Sequence, residues 1–357
     1  MLVPDGEPLR APSTLHLADA LGLRTSADQP LYDLCIVGGG PAGLAAAVYA
    51  ASEGLSTVIV EREAPGGQAG QSAAIENYLG FPRGLTGSDL TARAVAQASR
   101  FGAEMVLARD VVGLQTRGPV HAVLFEGSGE VEARALVVAT GVSYRRIEAP
   151  GLDELTGRGV YYGASASEAS QCEGDDVYVV GAANSAGQAV LNLARYAKRV
   201  VMVVRAATLE ESMSSYLVER IAAAPNVEVR LRSEVVAGRG AGHLEAVTVA
   251  DRGTGAQDEV PTSWLFVFIG ASPRTDWLGD DVVRDEHGFI VTGPDLLASG
   301  RPSAWPLTGR APIALETSVP GVFAAGDVRL DSMKRVASAV GEGAMSVYLV
   351  HRYLATT

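Results

Sequence analysis

Residues 32–61 read YDLCIVGGGPAGLAAAVYAASEGLSTVIVE. A strand begins near Tyr32, in YDLCIV. Three glycines follow, then Pro41 opens an alanine-rich stretch with helical character, Pro being suited to a first helical position. STVIVE then reads as a second strand. Strand, glycine turn, helix and strand make a βαβ unit, which predicts a parallel sheet. Within the turn, Gly38, Gly40 and Gly43 have the G-x-G-x-x-G spacing, and Glu61 lies 18 residues past Gly43. Gly38 allows the tight turn, Gly40 lets backbone approach a pyrophosphate, and Gly43 lets helix and strand pack closely. The helix N-terminus faces the phosphates, and Glu61 can accept from a ribose hydroxyl. Glycines also serve ordinary turns, but strand, helix and distal acid agree here. A dinucleotide site is the expectation.

Working outward, a second unit starts at Asp176: DVYVVGAANSAGQAVLNLARYAKRVVMVVRA. Its motif is imperfect. Gly181 takes the first position, Ala183 the second and Ala186 the third, with Asn184 and Ser185 between. The Cβ of Ala183 points where a pyrophosphate would approach. Arg205 ends the next strand, where an acid would suit NAD and a base suits the 2'-phosphate of NADPH. Two readings stay open: a nicotinamide dinucleotide site, with one vote for NADPH over NADH, or a Rossmann-like domain without tight binding. A late apolar strand, GVFAAGDV, ends in Gly326 and Asp327, where an acid can meet a hydroxyl at the sheet crevice; alone, it would be a surface turn.

Composition excludes several classes. The chain has 357 residues and a formal charge of -12, with no Lys/Arg block, which argues against nucleic acid. Its two cysteines, Cys35 and Cys172, form no disulfide framework or C-x-x-C, and its five histidines show no metal-ligand spacing. Cys35 reads as a buried small hydrophobe in the first strand, and Cys172, beside an acidic turn, as more exposed. A redox pair between them requires Cα atoms within about 7 Å. No apolar run spans a membrane and no signal-peptide pattern is present, so a cytoplasmic protein is expected. Glycine is in excess, 41 residues, or about 11% against an average of roughly 7%.

Several motifs together resemble the thioredoxin reductase group of flavoproteins, of low molecular mass: CIVGGGPAGLAAAVYAASEGLSTVIVE, GGQAGQSAAIENYLGFP, VVATG, TSVPGVFAAGDV and RVASAVGEGAMSV. The similarity runs over residues 31–355. GVYYGASASEASQC and ESMSSYLVERI resemble a bacterial thioredoxin reductase-like branch. The resemblance implies an α/β fold of two Rossmann-like, three-layer ββα nucleotide-binding domains of the class II pyridine nucleotide-disulfide oxidoreductase type. It implies a discontinuous FAD-binding domain, 30–152 and 265–357, with an NAD(P)H-binding-like domain at 153–264. Residues 1–29 form an extension resembling the tail end of a thioredoxin-like domain. Ser13 is expected to cap a short helix within it.

By motif match, Gly38, Gly40, Pro41, Ala42 and Gly43 would meet the FAD pyrophosphate and Glu61 the adenosine ribose. Gly67 and Gln68 would form the next phosphate-side loop. Asn77 would lie near the flavin, against the alternative of an ordinary turn residue. Thr140 and Gly141 fall in the VVATG match. Gly326 and Asp327 would meet the ribityl chain. Arg335, Val336 and Ala337 would pass the isoalloxazine carbonyls at a helix start, unless Arg335 is a solvated surface arginine. Gly181, Asn184, Ser185, Ala186 and Arg205 would form the NAD(P)H side. A homodimer is implied, and no metal.

The departure lies in the second domain. The group carries C-A-T-C there, and the matching stretch is Gly163, Ala164, Ser165 and Ala166. Serine cannot replace a thiolate in disulfide exchange, so ordinary thioredoxin reduction is not expected. Three functions stay open: an NAD(P)H-to-flavin oxidoreductase with a quinone, dye, small protein or oxygen as acceptor; a flavoprotein reduced by ferredoxin or another protein; or a non-catalytic flavin-loaded sensor or partner. Tyr161 and Tyr162 either stack near the flavin or pack in the core. The segment 294–314 reads as a surface loop, a partner contact or a lid.

Overall fold

A computed structural model describes residues 12–70, 72, 75, 77–162, 166–298, 305–306 and 309–356, and the elements below are those of the described residues. The chain forms two compact units: residues 1–74, 78–143 and 272–357, and residues 144–271 with Ile75–Asn77.

In the first unit, Ser13 Oγ accepts from the His16 amide at 3.1 Å and starts α1 (Thr14–Ala20). The opening motif forms β1 (Tyr32–Val37), α2 (Pro41–Ser52) and β2 (Thr57–Val60). Then come α3 (Gly67–Gly70), α4 (Gly87–Arg100), β3 (Glu104–Val106), β4 (Val111–Arg117), β5 (Val120–Phe125), β6 (Glu130–Val138) and β7 (Val142–Tyr144). Strands β3-β2-β1-β6 run parallel, and β5 and β4 extend the sheet as an antiparallel ribbon. Leu34 to Ile36 are fully buried, as a central strand covered on both faces requires. Leu34 and Ile36 face helix residues such as Leu44 and Ala47, while Cys35 and Val37 face the ribbon side with Val123 and Phe125.

The second unit contains β8 (Val160–Tyr162), α5 (Ala166–Gln171), β9 (Asp176–Val180), α6 (Asn184–Leu193), β10 (Arg199–Val203), α7 (Ser215–Ala223), β11 (Val227–Arg230), β12 (Ser233–Arg239), β13 (Ala246–Asp251), β14 (Gln257–Pro261) and β15 (Trp264–Val267). A parallel sheet has the order β11-β10-β9-β15-β8. Its one face packs on helix residues Ala186, Val190 and Leu217. Its other face packs on the antiparallel β12-β13-β14 layer through Val235, Val247 and Val260. This is the three-layer ββα arrangement.

The chain then returns to the first unit with β16 (Ala271–Pro273), α8 (Asp295–Ala298), β17 (Val322–Ala324) and α9 (Val336–Leu354). β17 runs parallel to the C-terminal half of β6, so the late Gly-Asp strand joins the same sheet as the opening motif. Two boundaries differ from the expected ones. β15 pairs with β9 and β8 and so lies in the second unit rather than in a segment beginning at 265. The first crossing falls at 143/144, ahead of 152/153, because Leu152 and Leu155 are buried in the second unit's core. Among the described residues, no helix is long and apolar enough to cross a membrane.

Candidate cofactor site

In the first unit, the three motif glycines have three separate physical reasons. Gly38 has φ +107°, and a Cβ there would lie 2.4 Å from Ala139 O. A Cβ on Gly43 would lie 1.9 Å from Gly38 O, so α2 can sit this close to the turn only without one. A Cβ on Gly40 would meet nothing within 4 Å. The backbone at Gly40 is therefore open on one side, and it is the residue preceding α2, which carries no side-chain cap and has Pro41 at its start. The first amides of α2 are left for an anion.

Around this turn the chain is tied down by hydrogen bonds. Glu61 accepts from the Gly39 amide at 2.6 Å and from the Glu63 amide at 2.9 Å. Its carboxylate oxygens keep further lone pairs for a hydroxyl donor. The Gly66 amide donates to Gly39 O at 2.7 Å, which brings the next loop, with Gly67 and the exposed Gln68, onto the glycine turn. Thr140 Oγ1 donates to Arg274 O at 2.8 Å, and a Cβ on Gly141 would meet nothing within 4 Å.

Gly326 and Asp327 come to the same place. Gly326 has φ +81°, and a Cβ there would lie 3.0 Å from the Ala42 Cβ. Gly343 of α9 lets that helix press on α2, since a Cβ there would lie 2.1 Å from Ala42 O. The turn at 326–327 thus sits beside the N-terminal ends of both helices. α9 also lacks a side-chain cap, with Arg335 preceding it and Val336 and Ala337 in its first turn. Burial raises the Asp327 carboxyl above its usual range, against the pull of Lys334 and Arg335; Glu342 adds to the rise. Arg335 is exposed and donates to Lys334 O at 3.2 Å. Two uncapped helix starts, an open Gly40 and an open Gly141 fit an elongated ligand with a pyrophosphate.

In the second unit, Gly181 has φ +146° and a Cβ there would lie 2.5 Å from Phe268 O. Ala183 precedes α6 and is exposed, so its methyl occupies the position that Gly40 leaves open. Asn184 and Ser185 are exposed and Ala186 is buried. Asn184 Oδ1 accepts from the Ser214 amide at 2.8 Å, which fixes the carboxamide. Arg205 is exposed just past β10.

Other expected residues fall elsewhere. Asn77 lies in Ile75–Asn77, which groups with the second unit. Residues 163–165 lie outside the described residues. Cys172, expected to be more exposed, is fully buried in the same core cluster as Ala169 and Val177. Tyr161 stacks on Phe266 and Trp264, with ring centroids 5.4 and 5.9 Å away, so its observed role is core packing. Of the 294–314 segment, Trp305 is buried and its Nε1 donates to Arg310 O at 2.7 Å. Arg310 in turn grips the fully buried Glu316 with two bonds of 2.7 Å. No sequence motif marks Glu342 or Arg329, which meet at the 326–327 turn. A weaker signal is present: Glu342 is the one charge in the run VASAVGEGAMSVYLV.

The family model described as pyridine nucleotide-disulphide oxidoreductase matches residues 32–343. The thioredoxin reductase of Peptoclostridium acidaminophilum is 32% identical over 330 residues, covering 91% of this chain and 97% of that protein. That of Bacillus subtilis is 32% identical over 332 residues, covering 92% and 96%. The crystal structure of thioredoxin reductase from Streptococcus pyogenes superposes with a TM-score of 0.81 at 31% identity, covering 92% of this chain and 99% of that one.

Proposed function

The chain belongs to the pyridine nucleotide-disulphide oxidoreductase family, as a thioredoxin reductase-like flavoprotein, and from that premise we propose that it is an FAD-dependent NAD(P)H oxidoreductase working without a thiol relay, its acceptor being something other than thioredoxin. One observation carries this reading: the sequence has the glycine motif at Gly38, Gly40 and Gly43 but no C-x-x-C pair. Its two cysteines stand 137 positions apart. Cys35 is fully buried, and burial pushes its thiol far above the usual range, so it yields no thiolate.

FAD, when bound, supplies oxidation and reduction at its ring system. The residues of this chain bind and orient it. Gly38, Gly40, Pro41, Ala42 and Gly43 hold the pyrophosphate on the α2 amides, and Glu61 takes a ribose hydroxyl. Gly67, Gln68, Thr140 and Gly141 border the cofactor, and Asp327 takes a hydroxyl of its chain. Arg335, Val336 and Ala337 present the positive end of α9. Asn77, which groups with the second unit, stays outside this set. Gly181, Asn184, Ser185, Ala186 and Arg205 hold the nicotinamide dinucleotide, and the exposed guanidinium of Arg205 favours NADPH over NADH. The acceptor class is a quinone, a small redox protein or oxygen.

Ala183 favours a second reading, in which a protein such as a ferredoxin supplies the electrons, because its methyl stands where phosphates approach. We place the protein in the cytoplasm as a homodimer; exposed Tyr49, Met345 and Tyr348 on α2 and α9 support pairing through the first unit. The test is an anaerobic titration of the FAD-loaded protein with NADPH and with NADH, following flavin absorbance. Bleaching by NADPH, with dye reduction and no turnover of oxidised thioredoxin, is expected. Failure of both nucleotides, with bleaching by reduced ferredoxin, selects the second reading.

A further inference from the structure

Glu342 lies in the second turn of the 19-residue α9, and its carboxylate is turned toward the turn at Gly326 and Asp327. Its Oε2 accepts from the Gly326 amide at 2.7 Å and from Arg329 Nε at 3.1 Å. Its Oε1 accepts from Arg329 Nη2 at 2.8 Å. The third arm of Arg329, Nη1, donates to Thr292 Oγ1 at 3.1 Å. Both charged side chains are mostly buried, 18% and 19% exposed. Backbone bonds join the same pieces: the Ile290 amide donates to Val328 O at 3.1 Å and the Leu330 amide to Ile290 O at 2.9 Å. One ion pair therefore locks three segments, the 326–330 turn, α9 and the stretch at 290–292.

Resting on the reading of this site as the FAD site, we propose that Glu342, paired with Arg329, is a positioning residue that pre-sets the 326–327 turn for FAD. Gly326 holds φ +81°, one of several regions a glycine enters freely, so an unheld turn would sample the others as well. Bidentate, charge-assisted bonds fix that geometry before ligand arrives, so binding does not have to order it. Glu342 also stands behind Asp327 as a second acid, with Arg329 offsetting its charge. Without Glu342, the Gly326 amide and a mostly buried guanidinium lose their acceptor together, and the turn relaxes away from the cofactor.

The test is fluorescence titration of apoprotein with FAD, with thermal unfolding of each apoprotein alongside. Glu342→Ala is expected to raise the FAD Kd by about tenfold or more, the scale of losing one charge-assisted bond. Glu342→Gln keeps an acceptor for the Gly326 amide and should recover part of that loss. Glu316→Gln serves as the purely structural control: it loosens the Arg310 clasp and lowers the apoprotein Tm, with the FAD Kd unchanged. Wild-type protein that binds no FAD would overturn the site reading itself. Wild type that binds, beside Glu342→Ala with the same Kd, overturns the positioning role. If Glu342→Ala does not fold, Arg329→Gln, which takes away the partner that holds the carboxylate, replaces it, and a wild-type Kd there overturns the role equally.

Discussion

A methyl group added at Gly40 and one added at Gly43 should have opposite effects, although the two residues are three apart. At Gly43 the new carbon would sit 1.9 Å from Gly38 O, and backbone cannot yield cheaply. Gly43→Ala is expected to destabilise the apoprotein by about 2–4 kcal/mol, in the range of overpacking and backbone strain. At Gly40 the space is empty, and its φ of -75° suits any residue. Gly40→Ala should therefore leave the apoprotein Tm close to wild type while raising the FAD Kd by about tenfold, as a methyl keeps a phosphate from the helix amides. Thermal unfolding without FAD and flavin binding separate the two. An apoprotein Tm that falls as far for Gly40→Ala as for Gly43→Ala would show that the open side of Gly40 is filled by protein, not by cofactor.

At the scale of elements, β5 carries a group with a pH consequence. His121 is almost fully buried in the ribbon, 3.3 Å from Thr116 Oγ1. Burial lowers its imidazole to about 4, with the Pro320 carbonyl pulling the other way. Above pH 6.5 both folded and unfolded chains leave it neutral. Between 6.5 and 4 the unfolded chain takes up a proton that the folded chain refuses, so stability falls as pH falls. The full effect is about 3 kcal/mol near pH 4. His121→Gln should flatten the loss of urea stability between pH 6.5 and 5, before the carboxylates titrate. Equal slopes for both proteins would mean that the folded ribbon admits the proton.

The βαβ units were legible because their signals are local: an apolar run, a turn glycine and a helix start sit within one window. In the turn, Gly38 holds a positive φ, Gly43 makes an approach that no Cβ would allow, and Gly40 leaves its own side open. What was not legible depends on contacts distant in sequence. β15 looks like any apolar strand, and only its pairing with β9 assigns it to the second unit. Cys172 precedes acidic residues, yet α5 delivers it into the core. Glu342 needed Arg329 and the Gly326 amide before its charge, the only one over residues 336–350, made sense.

At the scale of the whole molecule, the question is whether any thiol lies on the electron path. The sequence offers Cys35 in the first unit and Cys172 in the second, both fully buried. Disulfide exchange needs an accessible thiolate attacking along a defined line. Burial denies Cys35 that ionisation. Replacing both by alanine removes only small core volume, at a cost of about 1–2 kcal/mol per site. The Cys35→Ala/Cys172→Ala protein should then keep its FAD and reduce dye with NADPH at a rate within about twofold of wild type, a difference too small to count as a lost catalytic group. Thiol alkylation of the native protein should be equally without effect. A drop of more than about tenfold in kcat, with FAD retained and NADPH still bleaching the flavin, would place a cysteine after the flavin. The acceptor would then receive its electrons through sulfur, and the thiol-free route would be abandoned.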